Sequence, residues 1–398
     1  MVRYLTTNDY GFSNWTNTLF ASKEPIPGLC RYSFAFRNAK TSMGYFYETA
    51  RRIKNSVPPL RWLYSTARSV AARTYRSRFA SETRTFSDME DANLLPEIFH
   101  YWSNTHLRPI QEEYGFSNPE QFFAKYLHQS AQGCAEDCPV FASIGSGSCD
   151  TEVRVAKLLR ESGLSRFVIE CLDMNPRSLQ FGLEMAAREG VAENIAVVKG
   201  DFNKWKAAKS YAGVMANQSL HHVVKLEGLF DEIKRSLNPR GYFLASDIIG
   251  RNGHQRWPEA LAEVRRFWQE LPAEYRYNQQ RRKQEEVFEN WDCSKVGFEG
   301  IRAQDILPLL LERFDFHLFI GSCNVVDIFI DRSFGPNFNA DQEWDRAFVD
   351  RLHAFDEQAL QAGVLTPTHM MAVMTPQPNS EHLYSRGLTP QMSVRKTG

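Results

Sequence analysis

Asn217-Gln218-Ser219-Leu220-His221-His222 sets two imidazoles side by side at the end of an apolar run. A third, His254, stands in a polar, glycine-flexed segment that runs from Gly250 through Arg251, Asn252, Gly253, His254, Gln255, Arg256 and Trp257 to Pro258. Imidazole titrates near neutral pH. His221, His222 and His254 are therefore the candidates for a general base, with the alternative that one of the pair is a structural histidine at a helix start. Arg251 and Arg256, with Asn252 and Trp257, are the candidates for holding a substrate, because guanidinium groups pair with carboxylates and phosphates; bridging to acidic neighbours is the competing use. Earlier in the chain Gly145-Ser146-Gly147 precedes Asp150, and Asp173 ends a second apolar run. A glycine turn lets a ligand approach the backbone, and a carboxylate at a strand end accepts hydrogen bonds from ribose hydroxyls.

The elements that position these residues follow from periodicity. Val140 to Ile144 reads as a strand. The glycine turn follows, and Asp150-Thr151-Glu152 opens a helix with Val153, Val155, Ala156, Leu158 and Leu159 on its apolar side. Phe167 to Leu172 is a second strand, so the stretch has the length of a parallel crossover. Gly-x-Gly invites a dinucleotide, but the third position of that fingerprint is here Asp150, whose charge repels a pyrophosphate. A ligand with a cationic or amine-bearing end suits it better, and S-adenosylmethionine (SAM) is such a ligand. Ile195 to Val198, Tyr211 to Asn217 and Tyr242 to Ile249 read as further strands, with helices from Pro176, Lys225 and Gln304 between and after them.

Together Ile-Gly-Ser-Gly-Ser-Cys-Asp, Leu-Asp-Met-Asn-Pro, Lys-Gly-Asp-Phe and Asn-Gln-Ser-Leu-His-His stand in the order and spacing of class I SAM-dependent methyltransferases, which the chain resembles over about residues 138–331. That resemblance implies an α/β, Rossmann-like sheet, mostly parallel, with a closing antiparallel hairpin, here expected from Phe314 to Ile330. It implies SAM as methyl donor and S-adenosylhomocysteine as product. The cofactor contacts it implies are Gly145, Ser146, Gly147, Asp150, Asp173, Met174, Asp201, Phe202, Asn217 and Gln218, with Asp201 on the adenine amino group and Phe202 against the ring. Ala212 departs from the pattern, where many relatives carry an aspartate.

The expected organisation is a helical N-terminal or cap region over 1–130, a SAM-binding core over 131–250, and a helical lid insertion over 251–300. The rest of the core follows over 301–375, with a mobile tail over 376–398. Lys plus Arg and Asp plus Glu both number 47, so net charge points to no nucleic-acid partner. From Arg51 to Arg84 nine residues are basic and only Glu82 is acidic, which allows a peripheral contact with a membrane or an anionic partner, or simply a solvated helix face. No apolar run is long enough to span a bilayer, and a cytoplasmic location is expected. The seven cysteines are an odd, scattered set that fits reduced thiols. Cys134-x-x-x-Cys138 has Phe141 where a third cluster cysteine would stand, so no metal is expected. The function expected is methylation of an O, N or C nucleophile on a small-molecule acceptor. Methylation of a macromolecule or membrane glycolipid, and a non-catalytic SAM-binding scaffold, are the alternatives.

Overall fold

The computed structural model describes residues 95–295 and 297–395. The basic stretch from Arg51 to Arg84 lies outside the described residues, as does most of the expected N-terminal region. The described part begins with α1 (Glu97–Trp102), a π-helical turn and α2 (Arg108–Glu112). Then comes α3 (Pro119–Gln132), whose start is set locally: Asn118 Oδ1 accepts the Gln121 N–H at 2.9 Å, and Pro119 occupies the first turn.

The core alternates β1 (Val140–Ile144), α4 (Asp150–Glu161), β2 (Val168–Asp173), α5 (Pro176–Arg188), β3 (Ile195–Lys199), β4 (Tyr211–Asn217), α6 (Leu226–Ser236) and β5 (Leu237–Ile248). After α7 (Pro258–Glu270) a short β6/β7 pair (Tyr277–Asn278, Lys283–Gln284) leads to α8 (Ala303–Leu311) and β8 (Asp315–Ser322). The chain continues through α9 (Val326–Ile330), α10 (Glu343–Gln361), β9 (His369–Thr375) and β10 (Leu383–Tyr384). The main sheet has eight strands in the order β3-β2-β1-β4-β5-β9-β8-β10. β1 pairs in parallel with both β2 and β4, so strand order reverses between them. In open α/β sheets ligands bind at the carboxyl ends of the strands beside that reversal.

Both faces of the sheet are covered, as parallel strands require. One face packs against α3, α4 and α5, with Phe122, Phe123, Leu127, Val153 and Leu179 in its core. The other packs against α6 and α8, through Leu229, Phe230, Ile233, Ile306 and Leu310. A third core gathers α1, α7, α9 and α10 around Trp268, Phe329, Phe334 and Phe348. Truncating a buried aromatic such as Phe329 to alanine costs about 3–5 kcal/mol.

Three expectations change. β8 does close against an antiparallel neighbour, but that neighbour is β9; Val325 to Ile330 turns into α9. A short apolar run reads equally as strand or buried helix, and here Asp356 caps the helix start by accepting the N–H groups of Asn324, Val325 and Val326. The stretch expected as a helical lid insertion over 251–300 contains, among its described residues, one α-helix, α7, whose buried side (Ala260, Val264, Phe267, Trp268) roots it in the third core. The tail from 376 is structured through residue 395: β10 extends the sheet in parallel with β8, Leu388 is buried, and Arg395 pairs with Glu259 at 2.9 Å.

Beneath the glycine turn sits a buried carboxyl. Glu152, in the first turn of α4, accepts the Ser143 hydroxyl at 2.5 Å, and its other oxygen has no partner among the described residues. Burial pushes this carboxyl up to about 7. The folded form therefore binds the proton more tightly than the unfolded chain. The resulting stability is present below the unfolded carboxylate range and is lost as pH rises through about 7. At one pKa unit per 1.36 kcal/mol the loss is about 3 kcal/mol. Glu152→Gln is expected to flatten this dependence, and melting curves at pH 5 and pH 8.5 check it; equal slopes in both proteins would refute the assignment.

Candidate active site

Two loops at the carboxyl ends of β1 and β4 meet. Gly145 has φ +71°, and a Cβ there would lie 2.6 Å from the Cβ of Ser219. Glycine is thus required twice, by conformation and by contact. The Ser219 hydroxyl donates to the Ile144 carbonyl at 2.6 Å and ties the loops together. Asp173, at the end of β2, reaches across: Oδ2 accepts the Gly147 N–H at 3.0 Å and Oδ1 accepts the Asn175 N–H at 2.7 Å. Burial lifts the Asp173 carboxyl above its ordinary value, against the backbone hydrogen bonds from Asn175 and Gly147. At Gly147 (φ +53°) a Cβ would meet open space, so room for a ligand lies against the backbone beside Asp173.

The β4 loop is built on a residue that sequence reasoning missed. Asp247 in β5 is fully buried. Its Oδ2 accepts the N–H groups of Ser219 (2.8 Å) and Leu220 (2.7 Å), and its Oδ1 takes the Ile248 N–H (2.8 Å) and lies 2.6 Å from His221 Nδ1. An aspartate inside the apolar run of β5 is the signal that could have revealed it, since a buried carboxylate must be fully satisfied.

The second missed residue is Glu299. Its segment is held on both sides: Ile301 N–H donates to the His221 carbonyl at 3.1 Å, and Gly253 N–H donates to the Gly300 carbonyl at 2.8 Å. Gly300 has φ +60°, and a Cβ would crowd the His254 nitrogen at 3.1 Å. Arg302 then anchors the segment with two 2.7 Å bonds to Glu227 on α6. Glu299 is thereby brought under three imidazoles. His254 Nε2 is 2.6 Å from its Oε1, His221 Nε2 is 3.4 Å from Oε1, and His222 Nε2 is 3.6 Å from Oε2. All three histidines singled out in the sequence thus converge on one carboxylate that carried no local signal.

Burial alone would lower the His221 imidazole. The charge of Asp247 and its hydrogen bond, with Glu299 on the other nitrogen, outweigh burial and push His221 up to about 10. Loss of solvent would raise the Glu299 carboxyl, but the bond from His221, the charge of His222 and the bond from His254 hold it well below the ordinary carboxylate range. Asp247 on Nδ1 and Glu299 beside Nε2 thus hold both nitrogens of the His221 ring in place.

Other expected site residues are engaged elsewhere. Arg256 is buried; its guanidinium donates to the carbonyls of Asn324 (2.7 Å) and His254 (3.0 Å) and pairs with Asp327. It welds the Gly250–Pro258 loop to α9 and has no free face for a substrate. Arg251 lies 5.0 Å from the Trp257 ring, which Arg395 also covers at 4.4 Å. Asn252 exchanges two 3.2 Å bonds with Gln304 at the start of α8. Asp150 pairs with Arg154 at 2.7 Å, so its charge is partly spent on its own helix. Phe202 is a core ring in the layer with Leu220 and Phe230 rather than an open face for adenine. Met174, half-buried, packs beside that layer. Asp201 caps its own turn by accepting the Asn203 N–H. Ser146 N–H and Gly145 N–H both donate to the Leu172 carbonyl. Asn217 donates to Thr151 on α4, and Gln218, at φ +50°, turns its amide to the Ser246 carbonyl.

Residues 143–315 match the family described as methyltransferase domain. Sterol 24-C-methyltransferase erg6 of Aspergillus fumigatus is 27% identical over 184 residues, covering 45% of this chain and 44% of that protein. The chain thus spans less than half the length of this relative. Among solved structures, the geranyl diphosphate C-methyltransferase of Streptomyces coelicolor is similar with a TM-score of 0.38 at 10% identity, over 65% of this chain and 79% of that one. The O-methyltransferase of a trans-AT polyketide synthase multienzyme from Brevibacillus brevis gives 0.35 at 12%, over 73% and 82%. Likeness at that level says nothing about substrate. Residues 143–315, less than half of the chain, are thus similar to the methyltransferase-domain family.

Proposed function

We propose that the protein transfers a methyl group from SAM to a nucleophile on a small-molecule acceptor. The observation that carries this reading is the meeting of an open glycine backbone at Gly147, the Asp173 carboxylate and a histidine–carboxylate cluster at the strand-order reversal. The cradle fits the donor: Gly147 leaves space where a side chain would intrude, and Asp173 offers carboxylate lone pairs to ribose hydroxyls. When bound, SAM supplies a methyl carbon made electrophilic by its sulfonium. The chain's own residues then do two things. The loops of β1, β2 and β4 fix donor and acceptor in line, and such alignment contributes about 7–11 kcal/mol. His254, held through Nε2 by Glu299, takes the acceptor's proton on Nδ1 as the acceptor–carbon bond forms and the carbon–sulfur pair returns to sulfur. Nδ1 is sealed from solvent and has no hydrogen-bond partner among the described residues. The region 251–300 brings His254 and Glu299 to the site. Among the described residues no helix is long and apolar enough to cross a membrane. The cytoplasmic location expected from the sequence belongs to this proposal, supported by the six described cysteines, all free.

Calorimetric titration of SAM, S-adenosylhomocysteine and NADH into the purified chain tests the donor. The first two are expected to bind and NADH not; binding of NADH alone overturns the reading. Once an acceptor is found by methyl-label transfer, His254→Ala is expected to lower kcat by about 10²–10⁴-fold with S-adenosylhomocysteine affinity unchanged. An unaltered kcat would remove His254 from the chemistry.

A further inference from the structure

We propose that His221, His222 and Glu299 form a binding site for one divalent transition-metal cation, zinc or a neighbour of similar ligand preference, beside the cofactor pocket. The proposal deepens the methyltransferase reading and rests on it for the site's purpose, not for its existence. Each of the three residues offers one ligand atom, and these atoms all lie within 4.8 Å of one another. The Glu299 oxygens stand 3.4 Å from His221 Nε2 and 3.6 Å from His222 Nε2. An ion about 2.0–2.2 Å from a nitrogen and an oxygen at a near-tetrahedral angle separates them by about 3.4 Å. The cluster therefore needs little movement to close on an ion. His254 differs: 2.6 Å from Oε1 is a hydrogen bond, too short for two ligands of one ion, so His254 braces the carboxylate from outside and keeps its base role.

The surroundings are those a metal ligand has. His221 Nδ1 faces Asp247 Oδ1 at 2.6 Å, and Asp247 is itself pinned by three backbone N–H groups. A carboxylate on the far nitrogen of an imidazole fixes the ring and directs Nε2 at the ion. Two nitrogens and a carboxylate suit zinc, iron, cobalt or manganese; magnesium and calcium favour all-oxygen sites. Three protein ligands leave a position open at the end of β4, where the acceptor must sit. An oxygen of the acceptor fills it, which favours acceptors bearing a hydroxyl, enol or carboxyl oxygen over purely hydrocarbon or amine ones.

The test uses the full chain stripped with a chelator and titrated with Zn²⁺ and with Co²⁺, read by calorimetry and by the visible absorption of cobalt. One ion per chain is expected. His222→Ala and Glu299→Gln should each weaken binding by at least about 100-fold. Asp247→Asn should weaken it by about 10–100-fold through the His221 ring. S-adenosylhomocysteine affinity and circular dichroism report whether each variant is folded, and Glu299→Gln, the gentler change, serves if His222→Ala is not. The proposal is overturned if a folded chain that binds S-adenosylhomocysteine takes up no ion, or if both variants bind it like the parent. One ion per chain in a protein that binds neither SAM nor S-adenosylhomocysteine would uphold this site and strike the methyl-transfer reading instead.

Discussion

Asp247→Ala is expected to destabilise the protein by about 3–5 kcal/mol, the range for breaking a buried charge pair. The carboxylate is fully buried and serves four donors at once: the N–H groups of Ser219, Leu220 and Ile248, and His221. Alanine removes the acceptor that all four share. The β4 loop then loses the conformation that sets Ser219 against Gly145. Thermal unfolding should show a fall of about 5–15 °C, with turnover lost in parallel. Asp247→Asn separates shape from charge. Its amide oxygen can serve Ser219 and Leu220, but its NH₂ then faces His221 Nδ1 and forces the opposite tautomer on the ring. A smaller stability loss is expected there. An Asp247→Ala protein melting within a degree or two of the parent would show that Asp247 does not organise this loop.

Asp173→Ala is expected to weaken S-adenosylhomocysteine binding about 100-fold. Hydrogen bonds to a charged group contribute about 1.5–3 kcal/mol each, and about 3 kcal/mol corresponds to that factor. The loss has two sources. The ribose hydroxyls lose their acceptor, and the Gly147 N–H, now held at 3.0 Å by Oδ2, loses the bond that shapes the glycine turn. Asp173→Asn should recover part of the affinity, because an amide oxygen can still hold Gly147. Calorimetry distinguishes the cases, and an Asp173→Ala protein that binds as tightly as the parent would move the nucleoside elsewhere.

The sequence by itself determined the local pieces. Apolar runs of strand length flank a glycine turn at Gly145 and Gly147, and asparagine–proline pairs at Asn118 and Asn175 start α3 and α5 by bonds within three residues. Those signals are short-range, so one strand of text carries them. It also singled out His221, His222 and His254 as candidate bases, because imidazole titrates near neutral pH, though not the carboxylate on which they converge. Tertiary structure alone decided the rest. Whether Val325 to Ile330 or His369 to Thr375 would pair with β8 depended on a buried cap from Asp356, over thirty residues away in sequence. Arg256 looked like a substrate residue, but its donors were claimed by Asn324 and Asp327 once the loop folded against α9. Glu299, in Gly-Phe-Glu-Gly, has no pattern around it. It became the centre of the site because Gly253, His221 and Glu227 hold its segment in place from three other parts of the chain. Convergence of charge is a property of the packed fold, where burial makes each unpaired group costly and so forces these partners together.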